Sequence, residues 1–278
     1  MLLIDNNQII LANIFQASKD GEPLNEDYIR HTVLNTYRKY RTKFRQYGEM
    51  ILCNDGSNYW RKDIFPYYKA NRKKQQAAKK DEWKAVFDVL DNLREEIKDI
   101  FPYPSIRLQG AEADDIIYTL CKTYSQNEKI LIVSNDKDFQ QLQIFPNVMQ
   151  YGPTTDKYLT CDDPRGFLFE HIIGGDSSDG IPNILSDDDT FVMDGKRQAR
   201  MTQKRIDQLK KDSESSAFYT DPKYIRNSTL IDMSNVPQDL QDRILETYES
   251  QKGKGRTKLL QYFIDHNLKT LMPHLEEF

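Results

Sequence analysis

Short apolar runs punctuate the first 170 or so residues of this 278-residue chain, and three of them end in an acid. They are LLID at 2–5, MILCND at 50–55 and KILIVSND at 129–136. Continuous apolar runs of this length predict buried β-strands. SIRLQ at 105–109 predicts a further, weaker strand.

Between these runs, apolar residues recur at three- and four-residue steps over 29–44 and over 83–100, which predicts two amphipathic helices. Strands that alternate with helices predict an α/β fold with a mostly parallel central sheet flanked by helices. The strand signal fades from about residue 171, and a polar helical pattern replaces it, with a candidate loop at 186–196. We therefore expect a boundary near residue 170 and a helical second domain.

Composition excludes several classes of protein. No apolar run approaches the roughly 18 residues that span a bilayer, and the first residues lack the basic and apolar regions of a signal peptide. A cytoplasmic protein without membrane contact is expected. Cys53, Cys121 and Cys161 have spacings that fit no zinc motif, which indicates reduced thiols.

The formal net charge of −4 conceals strong local polarity. Residues 61–84 carry nine Lys and Arg against three acids, residues 196–211 carry seven against one, and residues 170–195 carry seven acids and neither Lys nor Arg. Such blocks suit a protein that holds both divalent cations and a polyanion. Taken singly, each block can also be a solvated face.

Carboxylates follow the predicted strands or lie in two further acidic motifs, EADD and GDSSDG. Because the carboxyl ends of parallel strands line one crevice, we expect these acids to converge. Converging carboxylates require counter-charge, and their hard oxygens suit Mg²⁺ or Mn²⁺, with two ions favoured over one. Individually, each acid can instead be a helix cap or a turn residue. The set comprises Asp5, Asp55, Glu112, Asp114, Asp115, Asp136, Asp138, Asp176 and Asp179.

The segment 59–80 mixes basic and aromatic residues and leaves from the strand that precedes Asp55. Cations bind phosphates and aromatic faces stack on unpaired bases, so this mixture favours single-stranded nucleic acid near a metal site. The alternative is a basic helix whose aromatic side chains lie in the core.

Six motifs follow one another along the chain in this order: LLID, LCND, YWRKDIFPYYKANR, EADD, SNDKDF and GDSSDGIPN. In these the chain resembles the 5′ nuclease family of flap endonucleases and 5′→3′ exonucleases, and most of all the RNase H proteins of T-even-type bacteriophages. The resemblance implies a PIN-like, metal-dependent nuclease domain over 1–170, with a helical arch at about 59–80, and a helical duplex-binding domain over 171–278. It also implies removal of RNA primers and 5′ DNA flaps during replication, by two-metal phosphodiester hydrolysis.

Carried over by motif, the first five acids form one metal cluster and Asp136, Asp138, Asp176 and Asp179 form the second. The resemblance implies two Mg²⁺ ions, for which Mn²⁺ substitutes. Lys69 and Arg72 match the basic pair of the arch and join Asp136 as catalytic residues. Nucleic-acid contacts are implied for Arg61, Tyr68, Lys69, Arg72 and Lys73.

The second domain departs from the family pattern. A Gly-x-Gly-x-Lys hairpin between two helices is replaced by LSDDDTFVMDGKRQARMTQKRIDQL, so K⁺ binding there lacks its usual motif. An irregular helix-hairpin-helix is still expected to bind duplex phosphates through cations and a helix N-terminus. Its cations are Lys196, Arg197, Arg200, Lys204 and Arg205.

The implied partners are an RNA·DNA hybrid and 5′-flap or forked DNA, with a single-strand-binding protein and a sliding clamp as candidate protein partners. We expect a monomer, located in the host cytoplasm if a phage encodes it. Two other functions remain open: an Asp-rich α/β phosphatase of small molecules, and a branched-DNA binder without catalysis, in which the acids serve only as caps.

Overall fold

The computed structural model describes residues 1–18, 24–72 and 80–278. A six-stranded sheet has the spatial order β3-β2-β1-β4-β5-β6, and its pairs are parallel except β5 with β6. The mostly parallel sheet confirms the predicted fold, although β3 is shorter than expected and the β5–β6 hairpin was not predicted. The strands are β1 (Leu2–Asp5), β2 (Met50–Asn54), β3 (Ser105–Arg107), β4 (Ile130–Val133), β5 (Val148–Gly152) and β6 (Lys157–Leu159).

Helices flank this sheet. The two predicted amphipathic helices are α2 and α4, and no described helix is long and apolar enough to cross a membrane. The helices are α1 (Asn6–Ala17), α2 (Glu26–Lys43), α3 (Arg61–Ile64), α4 (Lys80–Ile100), α5 (Ala113–Tyr124), α6 (Pro164–Gly174), α7 (Gln203–Asp212), α8 (Pro222–Ile231), α9 (Gln238–Gln251) and α10 (Leu259–Asp265).

Successive strand residues face opposite sides of the sheet, and this alternation divides the core in two. Leu2 and Ile4 pack with α1, α2 and α4, whereas Leu3 packs with α5 and α9. The end of the chain completes the first of these layers, because Phe278 is fully buried there with residues of α10. The C-terminal helices therefore cover both faces of the central sheet.

The segment after α6 differs from the expected helix-hairpin-helix. Across the described residues 175–202 the chain forms turns and extended stretches, and no helix begins before Gln203. The run of aspartates at 187–189 explains this, because Asp side chains compete for backbone hydrogen bonds and favour turns. The hairpin between two helices is not found.

The order of the strands determines where a site can form. Strand β1 lies between β2 and β4. The direction in which successive strands are added therefore reverses at β1, because β2 and β3 extend the sheet on one side of it and β4, β5 and β6 extend it on the other. Ligands of such sheets bind beyond the carboxyl ends of the strands at this switch point. Asp5 is the last residue of β1, Asp55 directly follows β2, and Asp136 lies shortly after β4.

Candidate active site

The ends of β1, β2 and β4 bring the first acids together. Ser134 Oγ donates to Asp5 Oδ2 at 2.9 Å and accepts from Asp136 N at 3.0 Å, which links the ends of β1 and β4. Asp55 Oδ1 accepts from Ala113 N at 2.9 Å, which fixes the start of α5 against the end of β2. The predicted convergence of acids is therefore present.

Helix α5 begins at the acidic motif, and two of its acids are fully enclosed. Glu112 N donates to Asp115 Oδ2 at 2.8 Å across the first turn. Arg61 Nη1 lies 2.8 Å from Glu112 Oε2 and 2.9 Å from Asp115 Oδ1. Burial raises the pKa of Glu112, but Lys69 and Arg61 outweigh that effect and lower the pKa to about 2. Glu112 is thus held as an anion by arch cations.

The acids of the two proposed clusters line a common cleft. Asp114 faces it from α5, and Asp138, Asp176 and Asp179 face it from the segments after β4 and α6. The charge of Asp136 adds to burial in raising the pKa of Asp114 and of Asp138, so it interacts with one acid of each cluster. The cleft and its surroundings therefore concentrate negative charge.

Lys69 and Arg72 lie against this cleft. Lys69 Nζ is 2.5 Å from Glu112 Oε1 and 3.5 Å from Asp179 Oδ2, so one ammonium group links an acid of each cluster. Arg72 Nη2 is 2.6 Å from Asp179 Oδ1. A left-handed backbone, with φ of 55°, allows Lys69 N to donate to Asp179 O at 2.7 Å.

Gly180 makes this close approach possible. Its φ is 74°, and a Cβ there would lie 3.1 Å from Tyr67 O of the arch. A larger residue at this position would push the arch away from Asp179. The positive φ and the close contact with Tyr67 O therefore both favour glycine at the second glycine position of GDSSDG.

Two residues expected to contact nucleic acid lie in the interior instead. Arg61 is 3% exposed and also donates to Leu230 O at 2.9 Å. Tyr68 is 3% exposed, and its hydroxyl lies 2.9 Å from Glu112 Oε2 and 3.0 Å from Asp179 Oδ2. Arg61 neutralises buried carboxylates and Tyr68 orients them, because buried carboxylates require buried hydrogen-bond donors. Neither side chain is exposed to a nucleic-acid strand. Lys73 lies outside the described residues.

His171 is a site residue that sequence reasoning missed. It lies in the last turn of α6, and its ligand atoms and those of Asp138 and Asp176 all lie within 4.8 Å of one another. Asp138 Oδ1 and His171 Nδ1 are buried without a hydrogen-bond partner. Orphaned buried polar atoms indicate a missing species, and these donors suit a divalent ion. The only sequence signal is its position five residues before Asp176.

A second cleft of about 550 Å³ adjoins Asp55 and contains residues that the sequence did not single out. Lys69 and Arg72 line it with Tyr59 from the arch side. Helix α4 contributes residues spread over about three turns, and the end of β3 contributes one more, so only folding brings them together. These residues are Trp83, Phe87, Arg94 and Arg107.

Volume alone does not locate the acids, because a larger cleft of about 850 Å³ lies elsewhere. It is lined by Arg41, Tyr103 and Arg256 among others, and none of the nine acids contributes to it. Carboxylates and orphaned polar atoms therefore identify the site better than size does.

The basic block of the second domain is exposed. Lys196 Nζ pairs with Asp189 Oδ1 at 2.6 Å, and Thr202 precedes α7 without a side-chain cap. The first amides of α7 are thus left for another acceptor. All five cations that the sequence singled out lie at the surface: Lys196, Arg197, Arg200, Lys204 and Arg205.

Acids with raised pKa values make the stability of the metal-free protein depend on pH. Burial and Asp55 raise the pKa of Asp5 to about 7, and burial and Asp136 raise the pKa of Asp138 to about 7. In the unfolded chain both carboxyl groups have a pKa near 3.8. The folded protein therefore binds protons more tightly than the unfolded chain, and their protonation at low pH favours the folded state. That contribution is lost as pH rises towards 7.

Thermal unfolding in EDTA should therefore give a melting temperature that falls between pH 5 and pH 8. Adding Mg²⁺ at pH 8 should raise the melting temperature again, because the cation neutralises the carboxylates as the protons did at low pH. Asp5→Asn should flatten the decline and is the matched control. A melting temperature that rises across this range in EDTA would contradict the assignment.

Comparison with known protein families agrees with this geometry. The family model described as 5′–3′ exonuclease, N-terminal resolvase-like domain, matches residues 1–163, and the model described as T4 RNase H, C terminal, matches residues 167–278. The chain is 31% identical to ribonuclease H of Enterobacteria phage T4, over 99% of this chain and 95% of that protein. It is also 34% identical to flap endonuclease Xni of a Shewanella strain, over 45% of this chain and 48% of that protein.

Solved structures share the fold. A 5′-exonuclease of phage T5 with bound zinc has a TM-score of 0.67 and 18% identity, covering 91% of this chain and 99% of its own. A T5 flap endonuclease in complex with DNA and metal ions has a TM-score of 0.64 and 20% identity, covering 89% and 98%. With family models along nearly its whole length and a full-length relative above 30% identity, this chain, a nuclease, belongs to the 5′–3′ exonuclease family.

Proposed function

We propose that this chain is a metal-dependent 5′→3′ exonuclease and flap endonuclease that removes RNA primers and 5′ DNA flaps during replication. One observation carries the proposal. Lys69 joins Glu112 to Asp179 beside a cleft whose lining includes four carboxylates together with Arg61 and Tyr68, so cations and acids lie around the same cleft. A phosphodiester with divalent ions complements both sets of charges.

The acids would hold two Mg²⁺ ions, for which Mn²⁺ substitutes. Asp5, Asp55 and Asp114 would contribute to the first ion, with Glu112 and Asp115 held by Arg61. Asp138, Asp176 and Asp179 would form the acidic cluster around the second, and Asp136 would lie between the two ions. When bound, such ions neutralise the phosphate and lower the pKa of an attacking water.

The basic pair of the arch would act on the phosphate itself. Lys69 is fixed by Glu112 and by its own backbone bond to Asp179, so its ammonium needs little reorganisation to meet an anion. Preorganised cations of this kind stabilise charge that develops in the transition state. Arg72 is 47% exposed at its side chain and can swing from Asp179 to a substrate oxygen.

The cleft of about 550 Å³ offers a path for the 5′ strand. Trp83 and Phe87 stack on each other with centroids 5.6 Å apart, and Phe87 is 38% exposed. Exposed aromatic faces bind unpaired bases, and the nearby Arg107, whose side chain is 36% exposed, suits a phosphate. The strand would therefore reach Lys69 and Arg72 from this side.

The second domain would hold the duplex behind the flap. Its exposed cations and the uncapped start of α7 suit phosphate contacts, which bind without reading sequence. Replacing both Lys204 and Arg205 with Ala should lower the slope of log affinity against log salt by up to about two, because each phosphate contact contributes about 0.9. Duplex affinity measured across a salt series checks this.

The control for that double variant is Lys252→Ala with Lys269→Ala, which removes two exposed cations from the turns that follow α9 and α10. Its slope should stay unchanged. Processive digestion of long duplexes should decline only in the Lys204 and Arg205 variant, and equal slopes in both variants would refute the duplex-binding role.

Cleavage assays test the main proposal. Flap substrates with a labelled 5′ RNA or DNA strand should be cut in Mg²⁺ or Mn²⁺ and left intact in EDTA, giving 5′-phosphate and 3′-hydroxyl ends. Activity confined to a small phosphate monoester would indicate the phosphatase, and tight flap binding without cutting would indicate the non-catalytic binder.

Protein partners can be tested on the same chain. We propose a monomer that works beside a single-strand-binding protein and a sliding clamp. Light scattering checks the mass, and pull-down with each purified protein checks the contact.

A further inference from the structure

His171 occupies an unusual position between two carboxylates. Its side chain is 5% exposed, Nδ1 lies 3.6 Å from Asp138 Oδ1, and Nε2 lies 3.3 Å from Asp176 Oδ2. The imidazole thus faces one acid with each nitrogen, and the two sides are not equivalent.

On the Asp138 side the contact is unsatisfied. A separation of 3.6 Å is too long for a hydrogen bond, and both His171 Nδ1 and Asp138 Oδ1 are buried without a partner. A buried polar atom without a partner destabilises the protein. Two ligand atoms of one ion lie about 3 to 4 Å apart when each bond is about 2.1 Å. An ion between these atoms would satisfy both.

On the Asp176 side the contacts are already complete. Asp176 Oδ1 accepts from Ser178 N at 2.7 Å, from Ser178 Oγ at 2.6 Å and from Asp179 N at 3.3 Å. Asp176 Oδ2 is the oxygen that faces His171 Nε2. A ligating histidine commonly donates its other ring N–H to a carboxylate, which fixes the tautomer and the ring.

We propose that His171 Nδ1 is a direct ligand of the ion held by Asp138, and that Asp176 is the positioning residue that orients this imidazole. The inference rests on the proposed metal dependence and refines it. The two metal sites then differ in chemistry, because the first has only oxygen donors and the second includes a nitrogen. The affinity of a site with a nitrogen donor rises along the first-row transition ions from Mn²⁺ to Cu²⁺, whereas Mg²⁺ prefers oxygen ligands, so the second site should bind a transition ion more tightly than Mg²⁺.

Pulsed electron paramagnetic resonance of Mn²⁺ bound to the full chain tests the ligand directly. Nitrogen from a coordinated imidazole couples to the electron spin, and ¹⁵N labelling of histidine alone should change that coupling. The wild-type protein is sufficient for this measurement, so it does not depend on whether a variant folds. Mn²⁺ bound without histidine coupling would overturn this inference but leave metal binding intact, whereas failure to bind any Mn²⁺ would contradict the proposed function as well.

Calorimetry of His171→Gln supplies the second readout. Mn²⁺ affinity should fall about 10-fold or more, while Mg²⁺ affinity should change less, so the ratio of the two affinities should drop. Asp176→Asn should weaken Mn²⁺ binding but keep the nitrogen coupling. Equal losses for Mn²⁺ and Mg²⁺ in His171→Gln, or nitrogen coupling that persists in that variant, would refute His171 as the nitrogen ligand.

Discussion

Replacing Asp136 with Asn should abolish cleavage, lowering the single-turnover rate by at least about 10²-fold. Even residues that only orient metal ligands change affinity or activity by about 10- to 100-fold, and Asp136 lies beside acids of both clusters. Its charge contributes to the raised pKa of both Asp114 and Asp138, so one substitution weakens the hold on both ions. Single-turnover cleavage of a labelled flap across a range of Mg²⁺ concentrations measures the loss.

Two matched variants sharpen that test. Asp179→Asn alters an acid whose oxygens already lie close to Tyr68 and Arg72, and it should reduce the rate less. Asp265→Asn changes an exposed acid of α10 and should leave the rate unchanged. Near-normal turnover of Asp136→Asn at low Mg²⁺ would exclude a position between two ions.

Replacing Lys69 with Ala should lower the single-turnover rate by about 10² or more, because a preorganised cation at the phosphate is lost. Duplex affinity should change little, since the exposed cations of the second domain remain. Glu112 keeps Arg61 and Tyr68 as partners in this variant, so the fold should persist.

Lys69→Arg keeps the charge but changes its shape and is the control for Lys69→Ala. It should recover part of the rate. If excess enzyme rescued Lys69→Ala fully, the ammonium would serve substrate capture rather than the chemical step, and the catalytic assignment would be wrong.

The sequence predicts the sheet well because its signals are local. Runs such as 2–5 and 129–136 are apolar on both faces, and only strands buried between two layers of helices require that. The acids at the strand ends could be located from the same local signals. In a parallel sheet all carboxyl ends lie at one edge, so a residue that ends or follows a strand lies at that edge. The β5–β6 hairpin escaped notice because its residues at 157–159 are half exposed and polar at one end.

Other parts of the site depend on contacts between distant segments. Arg61 belongs to a basic segment and was expected to face nucleic acid, but Glu112 and Asp115 lie 51 and 54 positions away and draw it into the interior. His171 matches no acidic motif, so only its distance from Asp138 and Asp176 in the structure identifies it. Trp83 and Phe87 were assigned to a helix correctly, and the cleft that they line emerges only when α4 packs beside β2.

The burial of Phe278 has a consequence for how the protein folds during synthesis. One face of the first strand is covered in part by α10 and Phe278, which lie far from it in the sequence, so that layer cannot close until this segment has been synthesised. Until then, apolar side chains of β1, α1 and α2 would stay partly exposed to solvent. Contacts of such long sequence separation slow folding, and transiently exposed apolar surface promotes aggregation. We therefore expect the nascent β1, α1 and α2 to remain incompletely packed until α10 and Phe278 can join them.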